Sequence, residues 1–203
     1  MNDIDPNIIE EPTAGEYGKV YTYSDYLKFE YDHMVELIRG KIFKMSTAPK
    51  SAHQEVSSNL HGHFWSFLKG NPCKVYSAPF DVVLPVRNEK KDTATTVVQP
   101  DICIICAQSK INEAGCLGAP DLVIEILSKS TSKKDLNDKY SIYEEAGVTE
   151  YWIVMLNERL VEVFHLQNEK YQRITTYTET EVISPVIFPD LNIDLIDIFP
   201  KEK

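Results

Sequence analysis

The sequence predicts a mixed α/β domain in which a central sheet lies between helices, and three observations carry that expectation. Two runs, VVQPDICIIC at 97–106 and PDLVIEILS at 120–128, are almost continuously apolar, as strands covered on both faces are. Two other stretches change period: Val56, Leu60, Phe64 and Phe67 recur at three to four residues, and KDLNDKYSIYEEA at 134–146 reads as a second helix ended by Gly147. Their order is hairpin, helix, three strands, helix and further strands, which is the alternation of a layered α/β protein.

Taken in order, residues 1–21 hold Pro6, Pro12, Gly15 and Gly18 with no sustained period, and read as an irregular arm. Residues 22–203 read as one domain with its core at about 35–165. Ser24 is placed to cap a short helix through DYLKF. VELIRGKIFKM alternates about Arg39-Gly40, the pattern of a hairpin. The helix from His53 to Leu68 is stopped by Gly70 and Pro72. KVYSAPFDVVL is the first of three strand-like runs, ahead of the two apolar ones. After the second helix come YWIVML, RLVEVFHL and YQRITTY, a strand followed by a hairpin or meander, and a tail broken at Pro185, Pro189 and Pro200. Neither G-x-G-x-x-G nor GxxxxGK[ST] occurs, which disfavours a nucleotide-binding phosphate loop.

Composition narrows the classes further. Eleven Tyr, eight Phe and two Trp supply more apolar surface than a disordered chain carries. No apolar run reaches the roughly 20 residues of a membrane span, and the acidic start MNDIDPNIIEEP does not resemble a signal peptide, so the expectation is a cytoplasmic protein with no membrane partner. With 21 basic and 31 acidic residues the net charge is −10, which on average opposes a polyanionic partner. Four cysteines (Cys73, Cys103, Cys106, Cys116) suit a reducing compartment better than a disulfide scaffold. Cys103 and Cys106 lie three apart on a strand, so they point to opposite faces, and no second pair follows at finger spacing. Buried structural thiols are expected there.

Two charges stand where strands should have none. Asp101 opens the run ICIIC, and Glu125 is enclosed by Leu122, Val123, Ile124, Ile126 and Leu127. A carboxylate inside a central strand is costly unless it is paired, hydrogen-bonded or metal-bound. Alternation puts Asp101 with Cys103 and Ile105, and Glu125 with Asp121 and Val123, so the two acids converge if these strands are neighbours in suitable register. Two carboxylates on adjacent strands suit a hard cation such as Mg²⁺. The alternative is a structural ion pair. On the second helix Lys139 borders the apolar stripe, positioned either to aim its ammonium at the acids or to pair with Asp135 on the surface.

The strings APFDVVL, VVQPDICII, GAPDLVIEILSKST and DLNDKYSIYEEAGVTEYWIV, in this order and spacing over roughly residues 22–165, resemble the Uma-type restriction endonuclease family of the PD-(D/E)XK nuclease superfamily. The resemblance implies a restriction-endonuclease-like αβββαβ core, a mixed central sheet flanked by helices with an N-terminal hairpin and extra C-terminal strands. It implies a Mg²⁺-dependent endonuclease acting on DNA, with Mn²⁺ able to substitute, and a homodimer. Asp101 then falls on the PD step and Glu125 on the acid of (D/E)-x-K, as metal ligands and catalytic residues. The lysine position holds Leu127, and the resemblance selects Lys139 on the following helix instead. Asp121 is a second PD aspartate of secondary standing, and Ser128 either contacts phosphate or caps a turn. His53 and Gln54 match the family's His-Gln pair, with His53 either a packed histidine or a phosphate contact. Glu36 is either a further acidic ligand or a surface-strand residue. Lys129, Lys133 and Lys134 are candidates for DNA phosphate contacts. The Leu127 departure and the net charge keep a second reading open, a nuclease-fold module without catalysis that binds nucleic acid or a protein.

Overall fold

The computed structural model describes residues 19–30, 34–45, 50–86, 89–127 and 133–201, with backbone alone for 133–135. The arm expected at 1–21 lies outside the described residues as far as residue 18. The first helix, α1 (Tyr23–Tyr26), is capped by Thr22 and not by Ser24. Asp25 stands three residues after Thr22, and its carboxylate accepts the Thr22 N–H and hydroxyl at 2.9 and 2.8 Å, a bond no cap at Ser24 would make. Strands β1 (Val35–Ile38) and β2 (Lys41–Lys44) form the expected hairpin. Arg39 and Gly40 both take positive φ, 49° and 78°, as a turn matched to strand twist requires. Helix α2 (Ser51–Phe67) buries Val56, Leu60 and Phe64, the stripe read from the sequence.

The chain continues through β3 (Lys74–Ser77), β4 (Val82–Val83), β5 (Val97–Val98), β6 (Ile102–Ile105), β7 (Ile111–Asn112), β8 (Gly115–Leu117) and β9 (Leu122–Leu127). It then enters α3 (Lys133–Ala146), β10 (Glu150–Met155), β11 (Leu160–Gln167), β12 (Lys170–Thr178), β13 (Val182–Ile183) and β14 (Ile193–Asp194). The central sheet has the order β12-β11-β10-β9-β6-β3, and a second has the order β2-β1-β5-β4-β8-β7. The αβββαβ core is α2, β3, β6, β9, α3 and β10, with β9 and β10 parallel across the α3 crossover. On one face of the central sheet Ile102, Ile104, Ile124, Ile126 and Trp152 pack against α2 and the C-terminal segment. On the other, Cys103, Val123 and Tyr151 pack against α3 and the second sheet.

Two expected strands are each divided. KVYSAPFDVVL becomes β3 and β4, and VVQPDICIIC becomes β5 and β6, with the halves in different sheets. Pro79 and Pro100 mark the breaks, because proline has no N–H to give to a ladder. One cysteine expectation is also corrected. Cys103 is a buried free thiol, but Cys106 is joined to Cys73 in a disulfide. The β3–β6 pairing sets Lys74 opposite Ile105, so the next residues outward, Cys73 and Cys106, face each other across the strands. That proximity depends on strand pairing and is invisible to local spacing. No helix of the described residues is long and apolar enough to cross a membrane.

Candidate active site

The site lies where the chain passes from the second sheet to the central one. β6 and β9 are antiparallel with Ile102 opposite Ile124 and Cys103 opposite Val123, a register that brings Asp101 against Glu125. Asp101, just past Pro100, accepts the Ile126 N–H through Oδ2 at 2.7 Å, and its Oδ1 is 3.3 Å from Nε2 of His53 in the first turn of α2. Glu125 faces α3. Its Oε1 accepts from Lys139 Nζ at 3.0 Å and from the Tyr143 hydroxyl at 2.6 Å. Lys139 Nζ is also 3.0 Å from Oε1 of Glu36, which reaches in from β1 and accepts the Gln99 N–H at 2.8 Å. Five elements therefore meet at one point, and Glu36 and Glu125 are both buried.

Burial and charge set the protonation states. Burial pushes the Glu125 carboxyl up to about 7; Lys139 works against the rise, while Asp101 and Glu36 add to it. Burial alone would lower Lys139, but Glu125 and Glu36 outweigh it and hold the ammonium above its ordinary range. His53 is likewise raised, because Asp101 outweighs burial. Tyr143 is driven well up by burial and then by Glu125, so its hydroxyl remains a donor. Three carboxylates face one lysine and one histidine, and the incomplete compensation of Glu125 is the condition a cation would relieve.

Asp101, Glu125, Lys139, Glu36 and His53 are thus brought together. Neither Glu36 nor Lys139 is a surface residue, with Lys139 only 15% exposed, and with Glu125 they make the buried ion pair that the sequence left as the alternative to a metal site. Asp121 stands at the far end of β9, about 13 Å away along an extended strand, where Oδ2 accepts the Cys106 N–H at 2.7 Å. Gln54 is exposed. Ser128 and Lys129 lie outside the described residues, as do the side chains of Lys133 and Lys134.

A family model described as "Putative restriction endonuclease", Uma2, matches residues 21–196. The chain belongs to the Uma2 family. A curated Uncharacterized protein of Synechocystis sp., slr1290, is 23% identical over 147 residues, 72% of this chain and 73% of that one. A crystal structure of "a putative nuclease belonging to DUF820" from Anabaena variabilis superposes with a TM-score of 0.70 at 21% identity, covering 88% of this chain and 97% of the other. That likeness establishes a shared fold.

Within this Uma2 protein the ammonium beside Glu125 comes from α3 and not from β9. Leu127 occupies the sequence position, while Lys139 reaches Glu125 from α3. Tyr143 and the Gln99 backbone were missed from the sequence. The spacing of Lys139 and Tyr143, one helical turn, was the available signal for the first. For Gln99 nothing local points to Glu36. Among the described residues no three His, Cys, Asp or Glu side chains form a ready cage for a metal ion. Two opposed carboxylates do fit a hard cation that completes its shell with water and substrate oxygens.

Proposed function

We propose that this protein is a metal-dependent endonuclease that hydrolyses DNA phosphodiester bonds, with Asp101 and Glu125 as ligands for Mg²⁺ or Mn²⁺ and Lys139 as the catalytic cation. The observation that carries the reading is the Asp101–Glu125 opposition across β6 and β9, with Lys139 held at Glu125. Bound there, the metal supplies Lewis-acid polarisation of a phosphoryl oxygen and lowers the pKa of a water. The remaining work belongs to the chain. Ile126 N–H and His53 fix the Asp101 carboxylate, so its orientation is set before any ligand arrives. Glu36 keeps Lys139 at the site from its second side, where the ammonium stabilises negative charge developing on the phosphate. A lysine on a helix has to be anchored in this way, since it lacks the fixed two-residue spacing a strand would give. Cutting a duplex takes one such site per strand, so the reading includes a homodimer.

The test is cleavage of plasmid DNA by purified protein with Mg²⁺ or Mn²⁺. Nicking is expected from the wild type and not from Asp101→Ala or Glu125→Ala, while Lys139→Ala lowers the rate and spares metal binding. Undiminished cleavage by the Asp101→Ala/Glu125→Ala double variant would sink the assignment. DNA binding without cleavage or metal uptake would select the non-catalytic nuclease-fold module.

A further inference from the structure

We propose that Tyr143 is a positioning residue that fixes one oxygen of Glu125 and thereby presents the other to the metal, an inference that rests on the metal site proposed above. Tyr143 is fully buried on α3, one turn beyond Lys139, so both side chains leave the same face of the helix. Both donate to the same atom, Oε1 of Glu125, at 2.6 and 3.0 Å. Among the described residues none donates to Oε2. A carboxylate whose one oxygen is tied twice to a helix has little freedom to rotate, and its remaining oxygen points in a set direction. Lys139 alone could not ensure this, because it is shared with Glu36 at the same distance.

The contact is not a by-product of burying a tyrosine in this layer. Tyr151 on β10 is also fully buried, and its ring centroid lies 5.1 Å from that of Tyr143. It projects from the same face of the sheet as Glu125, yet its hydroxyl has no hydrogen-bond partner among the described residues. Tyr143, in contrast, makes a short bond to a group whose orientation the site needs. Outer partners of ligating carboxylates act in this way, tuning metal affinity without touching the ion.

The experiment measures Mn²⁺ binding calorimetrically on the full chain without DNA. Tyr143→Phe removes one oxygen and keeps the ring, so the metal-free melting temperature should hold within a few degrees while Mn²⁺ affinity falls about tenfold. Tyr151→Phe is the control and should leave affinity within about twofold of wild type. Tyr143→Phe binding Mn²⁺ as tightly as wild type overturns the positioning role alone. A wild type that takes up no Mn²⁺ overturns the metal site, and this role with it. If Tyr143→Phe does not fold, 3-fluorotyrosine at position 143 replaces it. The fluorine resonance should then move when Mg²⁺ is added, and an unmoved resonance overturns the proposal.

Discussion

With its ammonium 3.0 Å from both Glu36 and Glu125, Lys139 is the main cation offsetting two buried carboxylates. Replacing it by Met preserves the length of the chain and removes that charge. Breaking a buried pair by deleting one partner costs roughly 3–5 kcal/mol, because the surviving charge is left uncompensated. Here the cost should depend on pH. Glu125 already stands at about 7 with Lys139 present, pushed up by burial. Without the lysine the folded-state value goes higher, further above that of the unfolded chain. The folded state then binds protons that the unfolded state releases, and stability falls as pH rises through that window. Lys139→Met should therefore lose most stability near pH 8 and much less near pH 5, as urea unfolding at the two pH values would show. An equal loss at both would mean that Lys139 does not compensate these acids.

At the scale of elements, Glu150 shows how the C-terminal segment is tied to the sheet. It opens β10, is fully buried, and accepts from Trp152 Nε1 at 2.7 Å and from the Val186 and Ile187 N–H groups at 3.0 and 2.9 Å. Burial raises its pKa above the ordinary 4.5, and the three hydrogen bonds only partly oppose it. The proton is thus held more tightly in the folded state, so this group's contribution is greatest at low pH and diminishes as pH rises past 4.5. Glu150→Gln cannot titrate and leaves one N–H facing an amide donor, a loss of about 1–3 kcal/mol. The deficit relative to wild type should shrink between pH 4 and pH 7 in thermal melts, and a constant deficit would contradict the shift. The elements most legible in the sequence were those long enough to show a period: α2, α3 and β9 to β12. Strands of two residues, β4, β5 and β7, carry no period, which is why the second sheet went unseen. Asp101 and Glu125 stood out as charges in apolar runs, and Lys139 as a lysine beside an apolar stripe. Tyr143 looked like one more core aromatic, and the Glu36 contact with Lys139 depends on how the second sheet packs on the first. The Cys73–Cys106 link was hidden because it depends on the pairing of β3 with β6 inside the central sheet.

For the whole molecule the net charge of −10 sets the terms on which DNA could be bound. An acidic surface repels a polyanion at long range, and salt screens that repulsion beyond about 10 Å. Glu36, Asp101 and Glu125 concentrate part of the excess at the point a scissile phosphate would have to reach, with Lys139 offsetting only some of it. A divalent cation reverses the local sign. Affinity for DNA should therefore be governed by the metal, and the acidic pair should hinder binding when no metal is present. In buffer at about pH 8 containing EDTA, where Glu125 is mostly ionised, Asp101→Asn/Glu125→Gln is expected to bind a fluorescent duplex about 3–10 times more tightly than wild type, from the removal of nearby negative charge. In Ca²⁺, which can occupy such a pair of oxygens, the order should invert, because only the wild type recruits the cation. Anisotropy titrations in the two buffers measure both differences. If the variant and the wild type bind alike in each, DNA does not approach the carboxylate pair, and the remaining surface charge alone determines affinity.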